Sequence, residues 1–394
     1  MSRLPLRWAV VGWVIIVSAV GTRVLLRPHA NTVFPIFADA GCNWLAGHDL
    51  YGPPKWGLDQ FRYSPTIAAA FAPCSLLPEW LGEVLWRSLN VAVFLAGLAA
   101  WTRWQWGDLA NLPAMMLLVV PLAVGSFNNG QCNLLLTGLL LGAVTSFAVG
   151  RWAFAAAAIS IAVLFKGYPL ALGLLLVLVE PRRFTPRLVV AVGIGLALPF
   201  LFHDTEYISR QYQALVARVG AEDRSTGDIS RSYRDAQLLL RSLGLPMSLI
   251  AYRVVEVIAG GTCAVVVTRL RKGGDSRSAA WASGALGLSW MTLFGPTTES
   301  STYVLVAPIL AQAVIDGQNR STTQRWLAFA SYAVFTLSMM AAWLPPAWNG
   351  RIQSLGVQPA AACLLLAYVL RECAYQRKRA AGSIPAAREF ADAA

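Results

Sequence analysis

Several polar interruptions in a strongly apolar chain carry side chains suited to phosphate, sugar or proton. Lys166 stands in Phe165-Lys166-Gly167-Tyr168-Pro169, between two apolar blocks. An ionisable side chain at membrane depth is expensive and marks a functional candidate. A cation there suits a phosphate at headgroup level, whereas the plainer alternative is a lysine snorkelling from a helix end. Arg62 and Tyr63, in Phe61-Arg62-Tyr63-Ser64-Pro65, precede an apolar half-helix and offer a second anion ligand. The run Asn128-Asn129-Gly130-Gln131-Cys132-Asn133 supplies amide donors and acceptors of the kind that match sugar hydroxyls, although amides also build ordinary turns. In Gly295-Pro296-Thr297-Thr298-Glu299-Ser300-Ser301-Thr302-Tyr303, Glu299 suits orienting a hydroxyl or acting as a base, or capping a helix that starts near Thr302.

For proton removal from an acceptor, Asp39 is the first candidate and Glu299 the second. Asp39 follows the first apolar block on a short helix, and a carboxylate against apolar surface has its pKa raised into a useful range. A solvated charge on a loop is the competing interpretation. Lys166, Arg62 and Tyr63 are the expected phosphate ligands. Asn129, Gln131, Asn133, Tyr168, Tyr303, Arg231 and Arg234 are the expected sugar or acceptor contacts, with Tyr233 and Asp235 beside the last two.

These residues must be positioned by helices in a bilayer. The 394 residues are 56% hydrophobic and 13% charged, too apolar for a water-soluble domain. About twelve apolar blocks appear, near 8–27, 80–101, 111–126, 131–149, 152–165, 167–180, 187–202, 246–268, 279–295, 302–316, 325–343 and 355–370. Each must be helical so that its backbone pairs within itself. The formal charge of +12 sits mainly in short connections, as membrane orientation requires, and gives no reason to expect nucleic acid. Arg182, Arg183 and Arg187, then Arg269, Arg271, Lys272 and Arg277, then Arg371, Arg377, Lys378 and Arg379 place those connections and both termini in the cytoplasm. The first block is read as a retained span rather than a cleaved leader. A single integral domain is expected over 1–380, followed by a disordered cytoplasmic tail over 381–394.

Two longer polar segments then fall outside, Pro28 to about Leu77 and His203 to Leu245. Ala38 to Leu50 reads as an amphipathic helix ending near Gly47, placed to guide a lipid-linked substrate or simply to pack as a lid. Six scattered cysteines and three histidines give neither a metal site nor a disulfide framework. No GxGxxG nucleotide fingerprint and no DxD pair appears, so neither a metal nor another cofactor is expected.

Taken in order, Trp44-Leu45-Ala46-Gly47-His48-Asp49-Leu50-Tyr51, Arg62-Tyr63-Ser64-Pro65, Gly130-Gln131-Cys132-Asn133 and Lys166-Gly167-Tyr168-Pro169 resemble glycosyltransferase family 87, the polyprenol-phosphate-mannose-dependent mannosyltransferases of the GT-C class. The resemblance implies an all-α GT-C fold and an active site on the outer face of a bacterial inner membrane. It implies a polyprenyl-phosphate hexose as donor, mannose in the family, a glycolipid or glycan as acceptor, membrane lipids as surroundings, and inversion through an Asp base. The family's usual Asp stands fourteen residues before the Gly of the Leu-x-Gly stretch, which is Val33 here, whereas Asp39 stands eight before Gly47. The family also tends to show an aromatic and histidine-rich stretch where this chain has Thr297 to Tyr303. A transporter or flippase of lipid-linked sugars and an inactive GT-C scaffold are the alternatives.

Overall fold

The computed structural model describes residues 4–27, 33–53, 58–220, 228–229, 232–380 and 382. Arg231 and nearly all of the expected tail lie outside the described residues. Among those described, secondary structure is entirely helical. Each expected apolar block becomes helix. The chain runs through α1 (Leu6–Leu26), α2 (Val33–Leu45), α3 (Pro65–Phe71), α4 (Glu79–Trp106), α5 (Leu112–Leu118), α6 (Val120–Asn129), α7 (Asn133–Ala148), α8 (Trp152–Phe165) and α9 (Leu170–Val179). It continues through α10 (Pro181–Ala197), α11 (Thr205–Gly220), α12 (Ala236–Ser242), α13 (Leu249–Lys272), α14 (Ser276–Leu293), α15 (Ala307–Gly317), α16 (Thr322–Met340), α17 (Pro346–Ser354) and α18 (Val357–Ala380).

Among the described residues, six helical stretches are long and apolar enough to cross a membrane, and a seventh is obtained if α5 and α6, bent by 60° at their junction, form one broken span. The more numerous blocks of the sequence include α7, α8 and α9, apolar but shorter than the usual crossing length. The chain is thus a multi-pass membrane protein. Exposed Val189, Val190 and Ile194 on α10, and Val254, Val257 and Ile258 on α13, present the apolar faces that lipid requires.

Inside the bundle, α4 and α7 pack most closely. A Cβ at Gly97 would come within 2.3 Å of the Gly138 carbonyl oxygen, and one at Gly138 within 2.2 Å of the Val93 carbonyl oxygen. Small residues let backbones approach where lipid gives no hydrophobic drive between helices. Several polar groups buried here are paired. Asn90 donates from Nδ2 to the Trp86 carbonyl at 2.8 Å and accepts from the Leu135 N–H at 3.1 Å, satisfying a first-turn donor of α7. Arg87 lies 3.0 Å from Glu83 with both side chains buried, and its Nη2 donates to the Asn128 carbonyl at 3.2 Å.

The two longer polar segments fold against each other. The expected helix near Ala38 to Leu50 is already formed at Val33, the first described residue of this segment, and ends at Leu45 before Gly47 at φ 67°. Its buried face is Phe34, Ile36, Phe37, Ala40, Gly41 and Trp44. A Cβ at Gly41 would meet the Phe71 carbonyl oxygen at 2.8 Å, so α2 lies directly on the end of α3. From the second segment, Gln211 Oε1 accepts the Leu50 N–H at 3.0 Å, Tyr207 donates to the His48 carbonyl at 2.7 Å, and Arg218 donates to the Tyr51 carbonyl at 2.9 Å.

Candidate functional site

Helix ends and connections, rather than helix middles, bring the polar residues together, because chain reversals are where a membrane bundle can present unburied polar groups. They surround a cavity of about 480 Å³. Arg62 and Tyr63 reach it from the segment before α3, Gln131 from the α6–α7 turn, and Lys166 and Tyr168 from the α8–α9 connection. Asp235 and Gln237 enter from the start of α12, Tyr252 and Glu256 from the first turns of α13, and Thr297 and Glu299 from the loop after α14.

One wall is a continuous hydrogen-bonded chain. Lys166 Nζ donates to Asn133 Oδ1 at 2.9 Å, and Asn133 Nδ2 donates to Gln131 Oε1 at 2.7 Å. Gln131 Nε2 then donates to Glu299 Oε2 at 2.8 Å. Ser301 Oγ also donates to Gln131 Oε1, at 2.5 Å. The amides are locked in one orientation, since each oxygen faces a donor and each nitrogen an acceptor. Gly130 makes the turn possible. Its φ is 67°, its carbonyl accepts from Trp86 Nε1 at 2.6 Å, and a Cβ there would meet Arg87 Nη2 at 3.0 Å.

Arg62 faces Asp59 with two parallel bonds, Nη1 to Oδ2 at 2.9 Å and Nη2 to Oδ1 at 3.0 Å. The adjoining backbone is held by Tyr51, whose hydroxyl donates to the Tyr63 carbonyl at 2.7 Å, and by the Ser64 N–H, which donates to the Leu164 carbonyl at 3.1 Å. Behind Tyr63 lies an aromatic group: Phe37 sits 4.6 Å from both Tyr63 and Phe71 and 5.4 Å from Trp86, and Trp86 stacks 5.9 Å from Phe165. Burial among these rings pushes the Tyr63 phenol far above its ordinary pKa, so it stays protonated as a donor. Tyr168 is buried, and its hydroxyl has no hydrogen-bond partner among the described residues.

Thr297 has a φ of 60°, the single positive-φ residue other than glycine among those described. A β-branched residue in that region is strained, and strain held beside a cavity belongs with positioning of neighbouring groups. The Thr298 carbonyl accepts the Arg234 N–H at 2.6 Å, and Tyr303 donates to the Arg234 carbonyl. The Glu299 loop and the approach to Asp235 are therefore fastened together.

The expected site residues divide accordingly. Arg62, Tyr63, Gln131, Lys166, Tyr168 and Glu299 line the cavity, and Asn133 stands directly behind its wall. Tyr303 is fully buried against Phe335 and Arg234 donates to the Gln353 carbonyl at 3.4 Å, so both lie behind the lining. Asn129 is exposed at the end of α6 and does not line the cavity. Asp39 is half-buried, accepts from Asn43 Nδ2 at 3.2 Å, and lines a separate recess of about 260 Å³ that shares Ile36 and Asp59 with the main cavity. Val33 does line the main cavity. Asp39 comes six residues later on the same helix, about 240° around its axis and about 9 Å along it, which accounts for its opening onto the recess instead.

Residues not singled out in the sequence complete the lining: Asp59, Ser232, Gln237, Arg241, Tyr252, Arg253 and Glu256. Arg241 donates to Ser232 Oγ at 2.6 Å and Arg253 to Glu256 Oε2 at 2.7 Å. The available signal was Arg234-Asp235 immediately before Leu238-Leu239-Leu240, an N-cap pattern at the start of an apolar run. Among the described residues no three His, Cys, Asp or Glu side chains gather where they could hold a metal ion.

The profile of glycosyltransferase family 87 matches residues 61–296, more than half of the chain. The protein belongs to that family. It is accordingly a glycosyltransferase. The matched stretch contains Arg62, Gln131, Lys166 and Asp235, and stops short of Glu299. No curated protein matches the chain.

Proposed function

We propose that this family 87 glycosyltransferase transfers a hexose, mannose in the first instance, from a polyprenyl-phosphate donor to a glycolipid or glycan acceptor with inversion, on the outer face of a bacterial inner membrane. The proposed architecture is a single GT-C domain over 1–380 whose first outer segment helps to form the site, with both termini in the cytoplasm.

The observation that carries this reading is that Lys166 and Arg62 line one shared cavity, with Lys166, Asn133, Gln131 and Glu299 in one hydrogen-bonded chain. A donor phosphate is held between the Lys166 ammonium and the Arg62 guanidinium, which give it charge-assisted bonds. Gln131 and Tyr168 face the sugar, and Asn133 keeps Lys166 in place. The apolar side chains of Val219 and Leu249 line the same cavity and are 52% and 38% exposed, supporting a route for the prenyl tail toward lipid.

In the transfer step an acceptor hydroxyl attacks the anomeric carbon, its proton passes to a carboxylate, and the C–O bond to phosphate breaks with its electron pair leaving on phosphate. Lys166 and Arg62 stabilise that growing charge, so the step is proposed to need no metal. Glu299 already accepts from Gln131 and lines the cavity, and Asp39 opens onto the adjoining recess. These are the two carboxylates nominated by the sequence for the proton.

The test is purified protein in nanodiscs offered synthetic polyprenyl-phosphate-mannose or a nucleotide sugar, with a pool of membrane glycolipids and with or without chelator. Transfer from the lipid donor alone, insensitive to chelator, supports the proposal. Loss of turnover on chelation contradicts metal independence, and movement of the lipid across the bilayer without transfer transfers the case to a flippase.

A further inference from the structure

Two polar groups face this cavity from the start of α12 and are used neither by the phosphate wall nor by the Glu299 loop. Asp235 is 6% exposed and lines the cavity, and its Oδ1 accepts the Leu238 N–H at 3.1 Å. Gln237, two residues on, is 8% exposed and lines the same cavity, and its Nε2 has no hydrogen-bond partner among the described residues. A buried amide donor without a partner has lost its water without compensation, and such a group beside a cavity points to a ligand acceptor atom.

We propose that Asp235, rather than Asp39 or Glu299, takes the proton from the acceptor hydroxyl, and that Gln237 donates to an oxygen of the same polyhydroxylated acceptor. This rests on the reading of the chain as a polyprenyl-phosphate-dependent transferase. Asp235 shares the cavity with Lys166 and Arg62, whereas Asp39 is turned into the recess and Glu299 ends the hydrogen-bonded chain that holds Lys166, which places it with the donor-binding groups. Its backbone is fixed from both sides, since the preceding Arg234 N–H is held by the Thr298 carbonyl and the Arg234 carbonyl by Tyr303. The groups that line the cavity with it from the chain around α12 and α13, Ser232, Arg241, Tyr252 and Glu256, are polar, as a sugar acceptor requires. Burial also raises the Asp235 carboxyl to about 6, a basicity suited to accepting a hydroxyl proton near neutral pH.

The step balances. The acceptor O–H proton goes to Asp235, the oxygen bonds to the anomeric carbon, and polyprenyl phosphate leaves with the electron pair of the broken C–O bond.

The experiment measures transfer from polyprenyl-phosphate-mannose in nanodiscs by wild type, Asp235→Asn, Asp235→Ala, Gln237→Ala and Asp39→Asn, with binding of the donor followed separately. Asn retains the cap on α12, so Asp235→Asn should fold and bind donor normally while kcat falls by about 10²- to 10⁴-fold. Gln237→Ala should raise KM for the acceptor by roughly tenfold or more, the size of one lost hydrogen bond. Azide needs no deprotonation, so Asp235→Ala supplied with azide should still release polyprenyl phosphate and form glycosyl azide. A structural role for Asp235 would lose that reaction as well. Transfer retained by Asp235→Asn, or abolished by Asp39→Asn with donor binding intact, overturns the assignment while leaving the transferase reading in place. A wild-type protein that transfers from no lipid-linked sugar overturns both.

Discussion

Lys166 and Asn133 meet at 2.9 Å between the connections α8–α9 and α6–α7, and Asn133 is fully buried behind the cavity wall. The ammonium is thereby held at the mouth of two apolar helices rather than reaching freely for solvent. Replacing Asn133 with Leu keeps its branched outline but takes the acceptor from Lys166 and one of the two donors from Gln131 Oε1, which keeps Ser301 and Glu299 as partners. Transfer should fall by roughly 10- to 100-fold through KM for the donor, with expression and helix content retained. Steady-state kinetics with a titrated donor checks this.

Gly130 supports the same wall from its backbone. An alanine there takes a positive φ of 67° and places its Cβ against the Arg87 guanidinium. Gly130→Ala should destabilise by about 1–2 kcal/mol and disturb the Arg87 bond to the Asn128 carbonyl, displacing Gln131. A lower melting temperature accompanied by a disproportionate loss of transfer is expected.

The contact of α4 with α7 tests the fold independently of the chemistry. Gly138→Leu drives a side chain into the Val93 carbonyl and must separate the two helices. The expected result is failure to yield a monodisperse protein, whereas Gly142→Leu, where a Cβ meets nothing within 4 Å, should be tolerated. Size-exclusion profiles of the two variants decide it.

Titration of Asp235 gives a pH signature. Its carboxyl is raised to about 6, first by burial and further by the nearby Glu256, against backbone N–H groups that lower it. Tyr252 and Tyr303 also face it, with Arg241 and Arg253 on the same cavity wall. A raised folded-state pKa means that the folded chain binds this proton more tightly than the unfolded chain. The associated stability is full below the ordinary carboxyl pKa and is lost as pH rises toward 6. Asp235→Asn should therefore stabilise the protein more at pH 8 than at pH 5, by melting temperature. With Asp235 as the base, kcat of the wild type should fall about tenfold per unit below pH 6.

The helices were legible because apolar blocks bounded by Pro, Gly and charge define them locally, as α8 and α9 on either side of Lys166 show. What joins the connections was not. Gln131 and Glu299 are bonded across a separation of 168 residues, and no local pattern encodes such a pair. Asp235 sat in a segment whose arginines and carboxylates balance, which reads as solvated charge, yet Thr298 and Tyr303 draw it into the interior. Asp39 shows the opposite limit. Its place on a helix was recognisable, but burial of Phe34 and Phe37 fixes which face of that helix turns toward the recess.

The most direct measurement is hexose transfer from polyprenyl-phosphate-mannose by Lys166→Ala and Arg62→Ala beside the wild type, with donor binding followed in parallel. If the cavity holds the donor phosphate, wild type transfers, and each variant loses transfer by about 10²-fold or more together with weakened donor binding. Wild-type rates and undiminished donor affinity in both variants would contradict the cavity as the donor site.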